Sequence, residues 1–129
     1  MKAGFTGSRN LKLTDKQKQT LTEFINNMKI TELHHGDCVG ADADVHDFMK
    51  SAFPDIKIVI HPPVEDKHRA FCKGDVVLKA KDYMERNRDI VDASEIIFAL
   101  PQANSNPRSG TLATIRYSEK KRITVIKLG

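Results

Sequence analysis

Apolar positions along this chain alternate between short continuous runs and helical spacing. Lys2 to Thr6, Ile30 to His35, Ile56 to Ile60, Ile96 to Leu100 and Ile123 to Leu128 read as buried strands, being short, β-branched and bounded by turn residues. Between them the period changes to that of a helix. Thr14-Asp15-Lys16-Gln17 forms a capping-box pattern, with Thr at N-cap and Gln at N3. It opens a helix carrying Leu21, Phe24, Ile25 and Met28 on one face. Ala41 to Ala52 repeats the pattern with Ala41, Val45, Phe48 and Met49, and Tyr83 to Ala93 with Met84, Ile90 and Val91. Ser109 to Lys121 is the fourth helix. Residues 61–80 hold two prolines, two histidines and mixed charge and read as irregular, the kind of segment from which functional loops are built.

Strands that alternate with helices make a largely parallel sheet with right-handed crossovers. The expected architecture is α/β, a single Rossmann-like domain over residues 1–129. Its doubly wound sheet has five strands in the order 3-2-1-4-5. In such a sheet the winding reverses between strands 1 and 4, and ligands bind above the strand C-termini at that switch point.

Both turns at the switch point have phosphate-type composition. Gly4-Phe5-Thr6-Gly7-Ser8-Arg9 follows the first strand. Small residues there let backbone approach a ligand, Ser8 offers a hydroxyl and Arg9 a guanidinium for an anion. Arg108-Ser109-Gly110-Thr111, with Thr114 one turn later, opens the fourth helix. A helix start aims N–H groups and the positive end of the helix dipole at an anion. Ser109 also has plain N-cap chemistry, but the glycine directly after it is what close approach to a phosphate requires. His35-Gly36-Asp37-Cys38-Val39-Gly40-Ala41-Asp42 follows the second strand. Asp37 and Asp42 are placed to accept hydrogen bonds from ribose hydroxyls or a base, as acidic residues do at this position of dinucleotide sites. Asp42 also suits the first turn of a helix. Tyr83-Met84-Glu85-Arg86-Asn87-Arg88-Asp89 starts the third helix on the same side of the sheet. Arg86 and Arg88 cannot both face the core; one can clamp an anion while the other pairs with Glu85, Asp89 or Asp92, and Asn87 between them is a further candidate to reach the ligand.

The remaining features narrow the function. Net charge is +4 over 129 residues, mild enough to favour an anionic ligand without implying nucleic acid. The aromatic residues are six Phe and two Tyr, mostly at core-like positions, so no platform for stacking single-stranded DNA stands out. No apolar run approaches the roughly 18 residues of a membrane helix. The N-terminus runs straight into a strand, without the pattern of a signal peptide. Cys38 and Cys72 lie in different elements, and a reduced, cytoplasmic setting is expected. His61, His68 and Cys72 lack a further cluster at metal-ligand spacing, so neither metal nor cofactor is expected.

These four motifs, in this order, resemble the SLOG superfamily, which includes the DNA-processing DprA (Smf) proteins and the lonely-guy phosphoribohydrolases. The likeness covers nearly the whole chain. It is greatest to the small YspA-like branch, with its Gly-Ser-Arg turn, His-Gly-Asp-Cys-x-Gly-Ala-Asp segment, Arg-Asn-Arg helix start and Ser-Gly-Thr-x-x-Thr-Ile-Arg-Tyr helix. The resemblance implies binding of nucleotides or nucleotide-derived ligands, and pairing of copies into a homodimer or higher homo-oligomer through the third or fourth helix. In the lonely-guy branch an arginine corresponding to Arg86 has a phosphate or catalytic role, and an acidic residue stands at the position of Thr114. A hydroxyl cannot stabilise an oxocarbenium-like centre as a carboxylate does. Two expectations follow. The first is a binding module for a nucleotide-derived small molecule, acting as sensor, carrier or sponge. The second is a nucleotide N-glycosidase or deoxyribosyltransferase whose catalytic candidates are Asp37, Asp42 and Arg86. Single-stranded DNA binding in the manner of DprA is a weaker third.

Overall fold

The computed structural model describes residues 1–103 and 109–128. Arg108 therefore lies outside the described residues. The elements run β1 (Lys2–Gly7), α1 (Asp15–Met28), β2 (Glu32–His35), α2 (Ala41–Ala52), β3 (Lys57–Ile60), β4 (Val76–Val77), α3 (Tyr83–Asp92), β5 (Ile96–Leu100), α4 (Gly110–Lys120) and β6 (Thr124–Lys127). All strand pairs are parallel, and the sheet order is β4-β3-β2-β1-β5-β6.

The expected order survives with one correction. The sheet has six strands, because Val76–Val77 adds an edge beside Val59 and Ile60 of β3. Two residues are too few to show a strand period. The pairing comes from the neighbouring edge of β3, with Asp75 N–H and Leu78 N–H donating to the carbonyls of Ile58 and Ile60. Residues 61–80 are thus not wholly irregular.

Alternation along the buried strands sends side chains to two faces. Phe5, Leu33, Ile58, Ile60 and Phe98 pack with Leu21 and Ile25 of α1 and Val45 and Met49 of α2. Ile97 packs on the other face with Ile90 and Val91 of α3 and with Tyr117 of α4. Helices thus cover both faces, as a parallel sheet demands. Thr14 caps α1 with both halves of the capping box in place. Among the described residues no helix is long and apolar enough to cross a membrane.

Candidate functional site

A cleft of about 580 Å³ opens above the C-terminal ends of β1 and β5, at the point where the winding reverses. Gly7, Ser8 and Arg9 line it from the β1 turn, Gly36 and Asp42 from the β2 side, Arg86 and Asn87 from α3, and Ser109, Gly110, Thr111 and Thr114 from α4. The fold therefore brings together most of the residues that the sequence singles out.

Two helix N-termini face this region, and they differ. At α2 the N–H of Ala41 donates to the Ser8 carbonyl at 3.1 Å, and the N–H of Ala43 to the Cys38 carbonyl at 3.1 Å. Protein carbonyls close that end. At α4 Ser109 caps through its hydroxyl, which accepts from Leu112 N–H at 3.2 Å. Gly110 and Thr111 are the first two helical residues, whose N–H groups have no intrahelical acceptor. Among the described residues, a Cβ on Gly110 would meet nothing nearer than Asn87 Nδ2, at 3.7 Å. The backbone is thus open toward the cleft, and the positive end of the α4 dipole is directed at it.

Arg86 is only 5% exposed. Its Nη1 donates to the carbonyls of Gly36 and, at 3.2 Å, His61; its Nε donates to Asn87 Oδ1 at 2.7 Å. The ring of Tyr83 lies 5.3 Å from the guanidinium carbon. A Cβ at Gly36 would overlap the guanidinium, so the glycine there seats an arginine. Arg86 forms no ion pair among the described residues. Its charge is held by carbonyl dipoles and sets a positive potential in the cleft wall.

Asp42 is buried to the same degree. One oxygen accepts from Cys38 N–H at 3.2 Å, and the other, Oδ1, has no hydrogen bond among the described residues. Burial pushes its carboxyl up to about 6, against the pull of the Arg86 charge. A carboxyl in that range exchanges a proton near neutral pH. Cys38 lies beside it, with Arg86 Nη2 3.7 Å from its sulfur, and burial raises its thiol.

Asp37 does not reach the cleft, which corrects the expectation that it reads sugar or base. It is fully buried. Its carboxylate accepts from Arg69 Nε at 2.9 Å and from Cys72 N–H at 2.9 Å, and its carbonyl accepts from Ala70 N–H at 2.7 Å. With the bond from Val39 N–H to the His68 carbonyl, it clamps residues 68–72 onto the turn after β2. Gly40 is also absent from the lining. Its φ of +85° and the closeness of the Arg9 backbone explain the glycine by local packing.

Ser8 Oγ bonds Gln102 Oε1 at 3.2 Å and accepts from Asn10 N–H at 3.2 Å. Asn10, Gln102 and Tyr83 line the cleft and were not anticipated. Gln102 had a usable signal, since it stands two residues beyond a strand that ends at the switch point.

Four histidines form two buried pairs below the cleft. His34 Nδ1 lies 2.7 Å from His61 Nε2, with Glu32 at the other His34 nitrogen; His35 Nε2 lies 2.9 Å from His46 Nδ1. The metal-ligand grouping present is His35, His46 and Cys72, and not the His61, His68 and Cys72 considered above. Its hydrogen bonds occupy the lone pairs a metal would use. Asp37 N–H donates to His35 Nδ1 at 3.0 Å, so Nε2 carries the proton and donates it to His46. Burial also pushes the Cys72 thiol up to about 12, far from the thiolate a metal binds.

The chain matches no protein-family model and no curated protein. Its fold is similar to that of two solved structures. One is the molybdenum cofactor binding protein of the phototrophic bacterium Rippkaea orientalis, with a TM-score of 0.70 and 19% identity over 98% of this chain and 74% of that one. The other is DNA processing protein A of Helicobacter pylori, with a TM-score of 0.62 and 16% identity over 98% of this chain and 64% of that one. The former binds a cofactor and the latter single-stranded DNA. At these identities the likeness is one of fold, a Rossmann-like parallel sheet with helices on both faces.

Proposed function

We propose that this chain binds a nucleotide or nucleotide-derived small molecule in the cleft above β1 and β5. The observation that carries this reading is the open N-terminus of α4 facing the buried Arg86 across a cleft of nucleotide size, about 580 Å³. A phosphate sits on the N–H groups of Gly110 and Thr111, within the potential of Arg86. Ser8, Asn10 and Gln102 supply neutral polar contacts for sugar or base. The two fold neighbours support ligand binding at this fold, one taking a cofactor and the other single-stranded DNA.

Titration calorimetry against a panel of nucleoside monophosphates tests the reading. Saturable binding is expected for at least one member. Gly110→Asp has room for its side chain. An acid in the first turn stabilises the helix by about 0.3–1 kcal/mol, yet it repels phosphate and weakens binding about tenfold or more. A panel without a single saturable ligand, or a Gly110→Asp variant with intact affinity, sinks the proposal.

A second reading rests on Asp42. A buried carboxyl held at about 6 beside a cation is suited to general acid–base work, such as cleavage of an N-glycosidic bond. Of the two acidic candidates, only Asp42 lines the cleft. Release of free base from a bound monophosphate, abolished by Asp42→Asn, is the expected sign of turnover. Tight binding with no base released across the panel rules it out.

A further inference from the structure

The cleft does not end at α4. Tyr83, Asn87, Gly110 and Thr114 line it and also line a second groove of about 440 Å³ on the outer side of α3 and α4. Among the described residues, the groove's charged lining consists of Arg88, Arg116 and Lys120, without a carboxylate. Nearby acids of α3 are engaged elsewhere. Glu85 and Asp89 pair with Lys81 at 3.6 and 2.7 Å, and Asp92 accepts from the Tyr117 hydroxyl at 2.9 Å. Arg88 and Lys120 form no ion pair among the described residues. The Arg88 guanidinium carbon lies 5.4 Å from the centre of the Tyr117 ring, a cation–π contact that keeps the charge beside the groove. Met84, 66% exposed, supplies an apolar contact along the same wall.

We infer that this groove holds a second, phosphodiester-linked nucleotide, joined to the one in the cleft across the N-terminus of α4. The inference rests on the proposed nucleotide site and extends it. Charge complementarity selects the occupant: a wall that presents Arg88 and Lys120, with no acid in its lining among the described residues, takes a phosphate. The Arg88 guanidinium and the exposed Met84 thioether, both in the groove's lining, offer a base contacts that do not read its identity. A dinucleotide and a longer single strand share this chemistry.

The test measures affinity for three probes at one salt concentration: a nucleoside monophosphate, the dinucleotide carrying a 5′-phosphate, and a longer oligothymidylate. The dinucleotide is expected to bind about tenfold tighter than the monophosphate. The double variant Arg88→Glu, Lys120→Glu is expected to erase that gain and leave monophosphate affinity intact. A further gain for the oligothymidylate, with a steeper salt dependence, identifies a longer strand as the source; equal affinity identifies a dinucleotide. Equal affinity of monophosphate and dinucleotide overturns the inference while leaving the cleft reading standing. Dinucleotide binding without monophosphate binding, lost in the double variant, supports the groove and overturns the cleft reading. A double variant that alters only the oligomeric state assigns the face to a second copy of the chain and overturns the inference.

Discussion

Asp42 loses its water in the first turn of α2, and that loss holds its carboxyl at about 6. A folded-state value above the usual carboxylate value means that the contribution of this group to stability is present at low pH. It is lost as pH rises from about 4 through about 6. Asp42→Asn is therefore expected to raise the melting temperature at pH 8 and to leave it nearly unchanged at pH 4. Thermal melts at the two pH values check this, and an equal shift at both refutes it. Asp37, five residues earlier, is a different case. It is fully buried and paired with Arg69, and removing one partner of such a pair costs about 3 kcal/mol or more. Asp37→Ala is expected to lose that much in denaturant unfolding. It is also expected to lose amide protection at Val39, Ala70 and Cys72, whose N–H groups bond across the clamp. Unchanged protection there would show that the clamp does not depend on the carboxylate. The two residues look alike in the sequence, since both acids come soon after β2, one or two residues beyond a glycine. Asp37 is told apart by partners 32 and 35 residues away, which no local pattern announces.

Among the elements, those with a strong period were readable. The capping box set the start of α1, and the apolar stripes of α1 and α2 face the sheet as their spacing requires. The run Ile96–Leu100 is buried at every position, as a central parallel strand must be. The switch point followed from the alternation of strands and helices, and with it came the position of the cleft. β4 was not readable, because its two residues owe their strand geometry to β3. Nor did composition separate the starts of α2 and α4. Both follow small and polar residues, but only the folded chain brings the Ser8 carbonyl onto Ala41.

Across the whole molecule, the two histidine pairs link the sheet to the elements beside it, and all four rings resist protonation. Burial is the leading cause in each, lowering His35 to about 3 and His61 to about 4. The unfolded chain takes up these protons near pH 6.5 and the folded chain does not. Stability therefore falls as pH drops below about 6.5 and goes on falling toward 4. The melting temperature is expected to decline steeply between pH 6.5 and 4.5, and His61→Gln to flatten that decline. A profile with the same slope in the variant would place the acid sensitivity elsewhere.

The closed end of α2 has a consequence for how any ligand sits. With the Ala41 N–H already engaged by Ser8, the open helix start at the cleft is that of α4, and its partial charge adds to the charge of Arg86. A ligand with an anionic head and a neutral tail then has a single favoured polarity on entry. On the proposed reading two phosphates of one ligand would be inequivalent, one at the start of α4 and the other beside Arg88 and Lys120.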